Sequence, residues 1–168
     1  MGLSLFRECV LYNPVIRDKL HRLLLANVLA ERNGEIIDVE TMKSVLNMLI
    51  ELGVDGERVY ETDFEEIFLS ATKSFYREEY LVISAQFSCP EIIHKVETRF
   101  HEEAKRVVRY LSKTTEVKLR TILSAELIAN NAESLVEMEY SGCRNMMKEN
   151  QLDNLTGCAS IYIPYICS

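Results

Sequence analysis

The feature that most restricts this chain is an apolar residue returning every three or four positions, in stretch after stretch, with few helix breakers between. Ile16, Leu20, Leu23, Leu24 and Val28 keep that spacing, and so do Met42, Val45, Leu46, Leu49 and Ile50. Residues three and four apart share one face of an α-helix, whereas a half-buried strand needs strict alternation. A third stretch, about residues 59–86, places Phe64, Ile67, Phe68, Ala71, Phe75 and Val82 on its apolar side. A fourth carries Ile93, Val96, Phe100, Ala104, Val107, Val108 and Leu111. A fifth runs from Val117 to about Lys148, with Leu119, Ile122, Leu123, Leu127, Leu135, Val136 and Met146 inward. Only 3 Pro and 6 Gly occur in 168 residues, so long helices meet few obstacles.

The punctuation fits. Leu3, Phe6 and Val10 form a short apolar stripe ahead of Asn13, a good N-cap followed by Pro14 at the first helical position. Gly34 is expected to close that helix, because the residue just past a helix often needs φ > 0. Asp38 offers the next N-cap, and the glycines of the 53–57 segment mark a loop. Ser88 or Cys89 caps the fourth helix, with Pro90 in its first turn. Residues 112–115 break the pattern and cap the fifth, where Glu116 meets the positive helix start. Asn130-Asn131 and Ser141-Gly142 are places where that helix bends or stops.

Five or six amphipathic helices on short loops predict an all-α protein, a bundle or an α-solenoid. Helices of more than about 20 residues favour a long-helix repeat over globin-like packing. The segment after Leu155 differs: it is apolar and β-branched, has no helical period and contains Pro164. The chain therefore divides into a helical region, 1–155, and an apolar tail, 156–168, attached loosely.

Composition excludes several function classes. A net charge of −7 argues against nucleic acid or an anionic membrane surface as partner. The N-terminal stretch has no apolar run long enough for a signal sequence or a membrane span. Five cysteines, Cys9, Cys89, Cys143, Cys158 and Cys167, include no C-x-x-C pair and read as free thiols of a reducing compartment. Cytoplasm or nucleus is the expected location.

Reaction chemistry finds little support. Glu91 and His94 have the Glu-x-x-His spacing of di-iron bundles, and His101 shares their helix face. That chemistry needs a second such motif, and the nearest match is Asp18 to His21. One carboxylate and one imidazole do not complete a coordination shell, so a solvated helix face is expected. The sequence has no G-x-S-x-G elbow, no phosphate-cradling glycine loop and no H-E-x-x-H. Arg99, Lys105, Arg106 and Arg109 interleave with Glu97, Glu102 and Glu103, and read as a charge-paired surface. Glu65 and Glu66, with no cation four residues on, read as solvated. The aromatic set Tyr60, Phe64, Phe68, Phe75 and Tyr76 reads as core, with an exposed member serving as an anchor for a partner helix. No catalytic, cofactor or metal residue is assigned, and no cofactor is expected.

Four motifs carry a family likeness. Tyr60-Glu-Thr-Asp-Phe-Glu-Glu-Ile-Phe-Leu69, continuing to Phe75-Tyr-Arg-Glu-Glu79, resembles a long helix of the cullin stalk. Glu31-Arg-Asn-Gly-Glu35 resembles that family's Glu-Arg-x-Gly-Glu loop. Lys95-Val-Glu-Thr-Arg99, with Glu102-Glu103 and Arg106-Val-Val-Arg-Tyr-Leu111, is similar to the following helix. Leu52-Gly-Val-Asp-Gly56 and Val136-Glu-Met-Glu-Tyr-Ser-Gly142 look closest to the class that uses BTB-domain adaptors. The likeness covers roughly residues 1–155.

The resemblance implies a stalk of cullin repeats, here the second repeat and the start of the third. It implies a non-catalytic scaffold of a cullin-RING ubiquitin ligase, rigidly spacing a substrate adaptor from the RING subunit. In the family the first repeat grips a BTB-type adaptor, and a C-terminal domain holds the RING subunit and carries the lysine modified by a ubiquitin-like protein. Those regions have no counterpart in these motifs, and after Asp153 the sequence leaves the family pattern for a divergent tail. The expectation is thus a truncated stalk that neither recruits an adaptor nor supports ubiquitin transfer unaided. The competing reading is a helical protein-interaction module with no ubiquitin link.

Overall fold

The computed structural model describes residues 2–53, 58–138 and Gly142. Among them every regular element is helical. Helix α1 (Gly2–Phe6) runs into a π-helical turn, Arg7–Leu11. Helix α2 spans Pro14–Arg32 and α3 spans Val39–Glu51. A second π-helical turn, Glu61–Glu65, leads into α4 (Glu66–Gln86). Then follow α5 (Cys89–Arg109), α6 (Lys113–Leu127), a 3₁₀ turn (Ala129–Asn131) and the short α7 (Ala132–Val136).

Asn13, Pro14, Gly34, Asp38 and Ser88 act at helix ends as the sequence suggests, while Glu91 and Arg7 join them unforeseen. The Asn13 side chain accepts from the backbone N–H groups of Val15 and Ile16, with Pro14 at the first helical position. Asp38 accepts from Thr41 N–H at 3.0 Å and from its hydroxyl at 2.6 Å. Those bonds hold its carboxyl below the usual carboxylate range. Glu91 reaches back to the N-cap as in one half of a capping box: it accepts from the Ser88 N–H at 2.8 Å and from the Ser88 hydroxyl at 2.6 Å. At the end of α2, Glu35 N–H donates to Ala30 O (2.9 Å) and Gly34 N–H to Glu31 O (3.0 Å). These are the two bonds of a Schellman ending, and Gly34 sits at φ +86°. Carbonyls at the ends of α3 and α6 are met by side chains, that of the C-cap Leu52 by Arg7 Nη1 (3.3 Å) and that of Glu126 by Asn131 Nδ2 (2.6 Å). The latter stops α6 near the predicted Asn130-Asn131 interruption.

The chain divides into two compact units. One holds the residues up to Ala71 together with Arg106–Thr115, the other Thr72–Lys105 and the residues from Glu116 onward. The first unit is centred on Leu24, Val28, Met42, Leu46, Leu49, Leu52, Val59, Tyr60, Phe64 and Phe68, all buried. The second buries Tyr76, Tyr80, Cys89, Ile92, Ile93, Val96, Leu119, Leu123, Leu127, Ile128 and Leu135. Each large side chain so buried stabilises by roughly 1.5–3 kcal/mol relative to exposure.

Several expectations are corrected, and Val136, placed on the apolar side of its helix, is 39 % exposed. Glu65 is not solvated: it is buried along with Asp63. The turn Glu61–Glu65 packs three consecutive residues, Asp63, Phe64 and Glu65, away from solvent, so a one-sided stripe does not apply there. Val82 is 55 % exposed, because the buried row along this helix is Tyr60, Phe64, Phe68, Thr72, Tyr76 and Tyr80, a step of four rather than 3.6. Such a row creeps about 40° round the axis per step and leaves Val82 behind. Val108 is 86 % exposed, because Glu103, Arg106 and Val107 on α5, and Tyr110 just past its end, take the inward places. The apolar stripe of α1 also lies open, with Leu3 and Phe6 exposed. The 54–57 part of the predicted loop, Met146 and the tail 156–168 lie outside the described residues.

Candidate functional site

In the first unit three of the motifs converge. Glu31 sits in the last turn of α2, and its carboxylate accepts from three groups near the end of α5. Arg106 Nε (2.7 Å) and the Tyr110 hydroxyl (2.7 Å) reach Oε2, and Arg109 Nη1 (2.6 Å) reaches Oε1. Arg106 is almost fully buried and Arg109 half-exposed. Burial pushes the Tyr110 phenol well above its ordinary range, and its bond to Glu31 adds to this, against the opposing charge of Arg106. The neighbouring Arg32 lays its guanidinium 5.6 Å from the centre of the Phe68 ring. Phe68 stacks on Phe64 at 5.4 Å, and Phe64 meets Tyr60 at 5.6 Å. The loop motif thus spends Glu31 on the α5 motif, Arg32 on the α4 motif, and Gly34 on its own turn.

A second network continues from Tyr60. Glu65 Oε1 accepts from the Thr115 hydroxyl (2.7 Å), which lies 2.9 Å from the Tyr60 hydroxyl, which accepts from Ser112 N–H (3.2 Å). A carboxylate only accepts, so Thr115 donates to Glu65, and Tyr60 donates to Thr115. Burial raises the Tyr60 phenol, while its bonds to Thr115 and Ser112 pull the other way. A second buried carboxylate, Asp63, accepts from Arg17 Nε and from the Thr62 hydroxyl (3.1 Å), and His21 Nε2 stands 3.7 Å away.

The second unit repeats the pattern. The Tyr76 hydroxyl donates to Glu103. Arg99 pairs with Glu79 from α4 and with Glu102 one turn along its own helix (2.6 Å). Burial pulls the Arg99 guanidinium down while Glu79 and Glu102 push it up, and the net direction is up. Buried Glu126 takes a two-pronged contact from Arg77 (3.1 and 3.3 Å), with Lys73 at 3.8 Å.

The residues weighed for chemistry are dispersed. His94 is exposed beside Glu97, 3.8 Å away, while Glu91 serves the helix cap and His101 is exposed. Among the described residues no group of three His, Cys, Asp or Glu side chains could hold a metal ion. Of the basic cluster, Arg99 and Arg109 are charge-paired as expected, Arg106 is buried, and Lys105 is exposed. Tyr60, Phe64, Phe68 and Tyr76 are core, with Phe75 half-buried against Tyr76. Cys9 is exposed and Cys89 buried, neither in a disulfide; Cys143, Cys158 and Cys167 lie outside the described residues. The sequence reading missed the hubs Glu31, Glu65, Asp63 and Glu126. The available signal for Glu31 was its place in a motif whose third and fourth members end a helix.

No described helix is long and apolar enough to cross a membrane. Residues 1–162 match the family described as Cullin, the cullin alpha solenoid domain, so the match takes in the first residues beyond Leu155. The chain is 39% identical over 155 residues to Cullin-3 of Dictyostelium discoideum, covering 92% of this chain and 20% of that protein. It is 37% identical over 162 residues to Cullin-3B of Arabidopsis thaliana (96% of this chain, 22% of that protein). Cullin-2 of Arabidopsis thaliana follows at 34% over 165 residues (98% and 22%). The chain therefore spans about a fifth of the length of these relatives. With motif residues bonded mainly to one another in helices, and the family match running nearly end to end, the chain belongs to the cullin family.

Proposed function

We propose that this chain is a scaffold segment of a cullin-RING ubiquitin ligase, part of the stalk that spaces a substrate adaptor from the RING subunit in ubiquitin-dependent protein degradation. The observation that carries the proposal is the use of the motif residues: Glu31, Arg106, Arg109 and Tyr110 bind one another across helices rather than lining a reaction centre. Such groups fix the angle between helices, and holding two partners at a set distance needs that geometry settled at folding rather than at each encounter. The segment itself is non-catalytic and acts in cytoplasm or nucleus. Its likeness to Cullin-3 proteins supports BTB-type adaptors and a RING subunit as the partners of the assembly. In this proposal residues 1–155 are the stalk segment and 156–168 a tail, within which the family match ends at 162. Contacts to adaptor and RING subunit are made outside these residues.

Two measurements test this. The isolated chain, mixed with a BTB adaptor and a RING subunit, should retain neither on affinity capture; stoichiometric retention of either overturns the placement of those contacts. A chimera of Dictyostelium discoideum Cullin-3 carrying residues 1–155 in place of its matching segment should still assemble and ubiquitinate a substrate. A chimera that folds and binds both partners but transfers no ubiquitin would remove the spacing role.

A further inference from the structure

We draw no further inference here: the strongest candidate, the exposed apolar row of Leu3, Leu5, Phe6, Tyr12, Val15 and Ile16 along α1 and the start of α2, is an open helix face, and nothing in the structure shows what covers it.

Discussion

Glu31 illustrates how much one carboxylate can hold. It compensates a buried guanidinium, a half-exposed one and a buried phenol at once. Truncating one partner of a buried ion pair leaves the other charge without compensation, which costs far more than the pair's net worth. Glu31→Ala should therefore lower the unfolding free energy by about 3 kcal/mol. Glu31→Gln keeps an acceptor and should cost less; urea denaturation of the two variants reads the difference, and equal small losses would show that the hub is idle. Tyr80 makes a separate case. Burial, with the adjacent Cys89 thiol as a smaller cause, pushes its phenol up to about 12 from an ordinary 10.0. A folded-state value above the unfolded one means that the unfolded chain releases the proton first. Stability is then fully present below about pH 10 and lost as pH rises from there to about 12, by up to about 1.4 kcal/mol per pH unit. Tyr80→Phe should flatten that alkaline loss in a denaturation series. Tyr60 and Tyr110, shifted in the same direction, should leave a residual slope.

At the scale of helices, the ends were more legible than the faces. Asn13-Pro14, Asp38, Ser88 with Glu91, and Gly34 all act locally, through bonds to backbone groups within a turn or so, and local chemistry is written in local sequence. Gly34 gives the sharpest test. A Cβ built there meets nothing within 4 Å, so the demand for glycine comes from φ +86° alone. Gly34→Ala should cost about 1 kcal/mol. Gly34→Asn should cost less, since Asn tolerates the left-handed region. Thermal melts that rank the two the other way would contradict a conformational cause. The faces were harder for a physical reason. Periodicity marks apolar residues, yet Asp63, Glu65, Glu103, Arg106 and Glu126 are buried because each finds a partner far along the chain. Pairing of that range leaves no trace in a window of one helix. The row from Tyr60 to Tyr80 was obscured similarly: a step of four is indistinguishable from 3.6 over two turns and separates from it over five.

For the molecule as a whole, the family was legible from four short motifs in order, and the chemistry of three of them, the 31–35, 60–79 and 95–111 motifs, only from the structure, where their residues pair within a unit. The chain crosses between the units in the middle of helices: α4 passes from Ala71 to Thr72 and α5 from Lys105 to Arg106 without a break. A boundary that falls in a linker lets units melt separately, because few ordered residues are shared. A boundary inside a helix does the opposite: unwinding one half removes backbone bonds that the adjoining turns of the other half need, and starting a helix afresh at the boundary carries a nucleation cost. Perturbing the first unit should accordingly reach the second through the shared helices. In native-state hydrogen exchange, Glu31→Ala should speed the slowest amides of α3 in the first unit and of α6 residues 119–127 in the second by similar factors, on the order of 100-fold for about 3 kcal/mol. Acceleration confined to α3 would mean that the units open independently, and would count against the proposed spacing role.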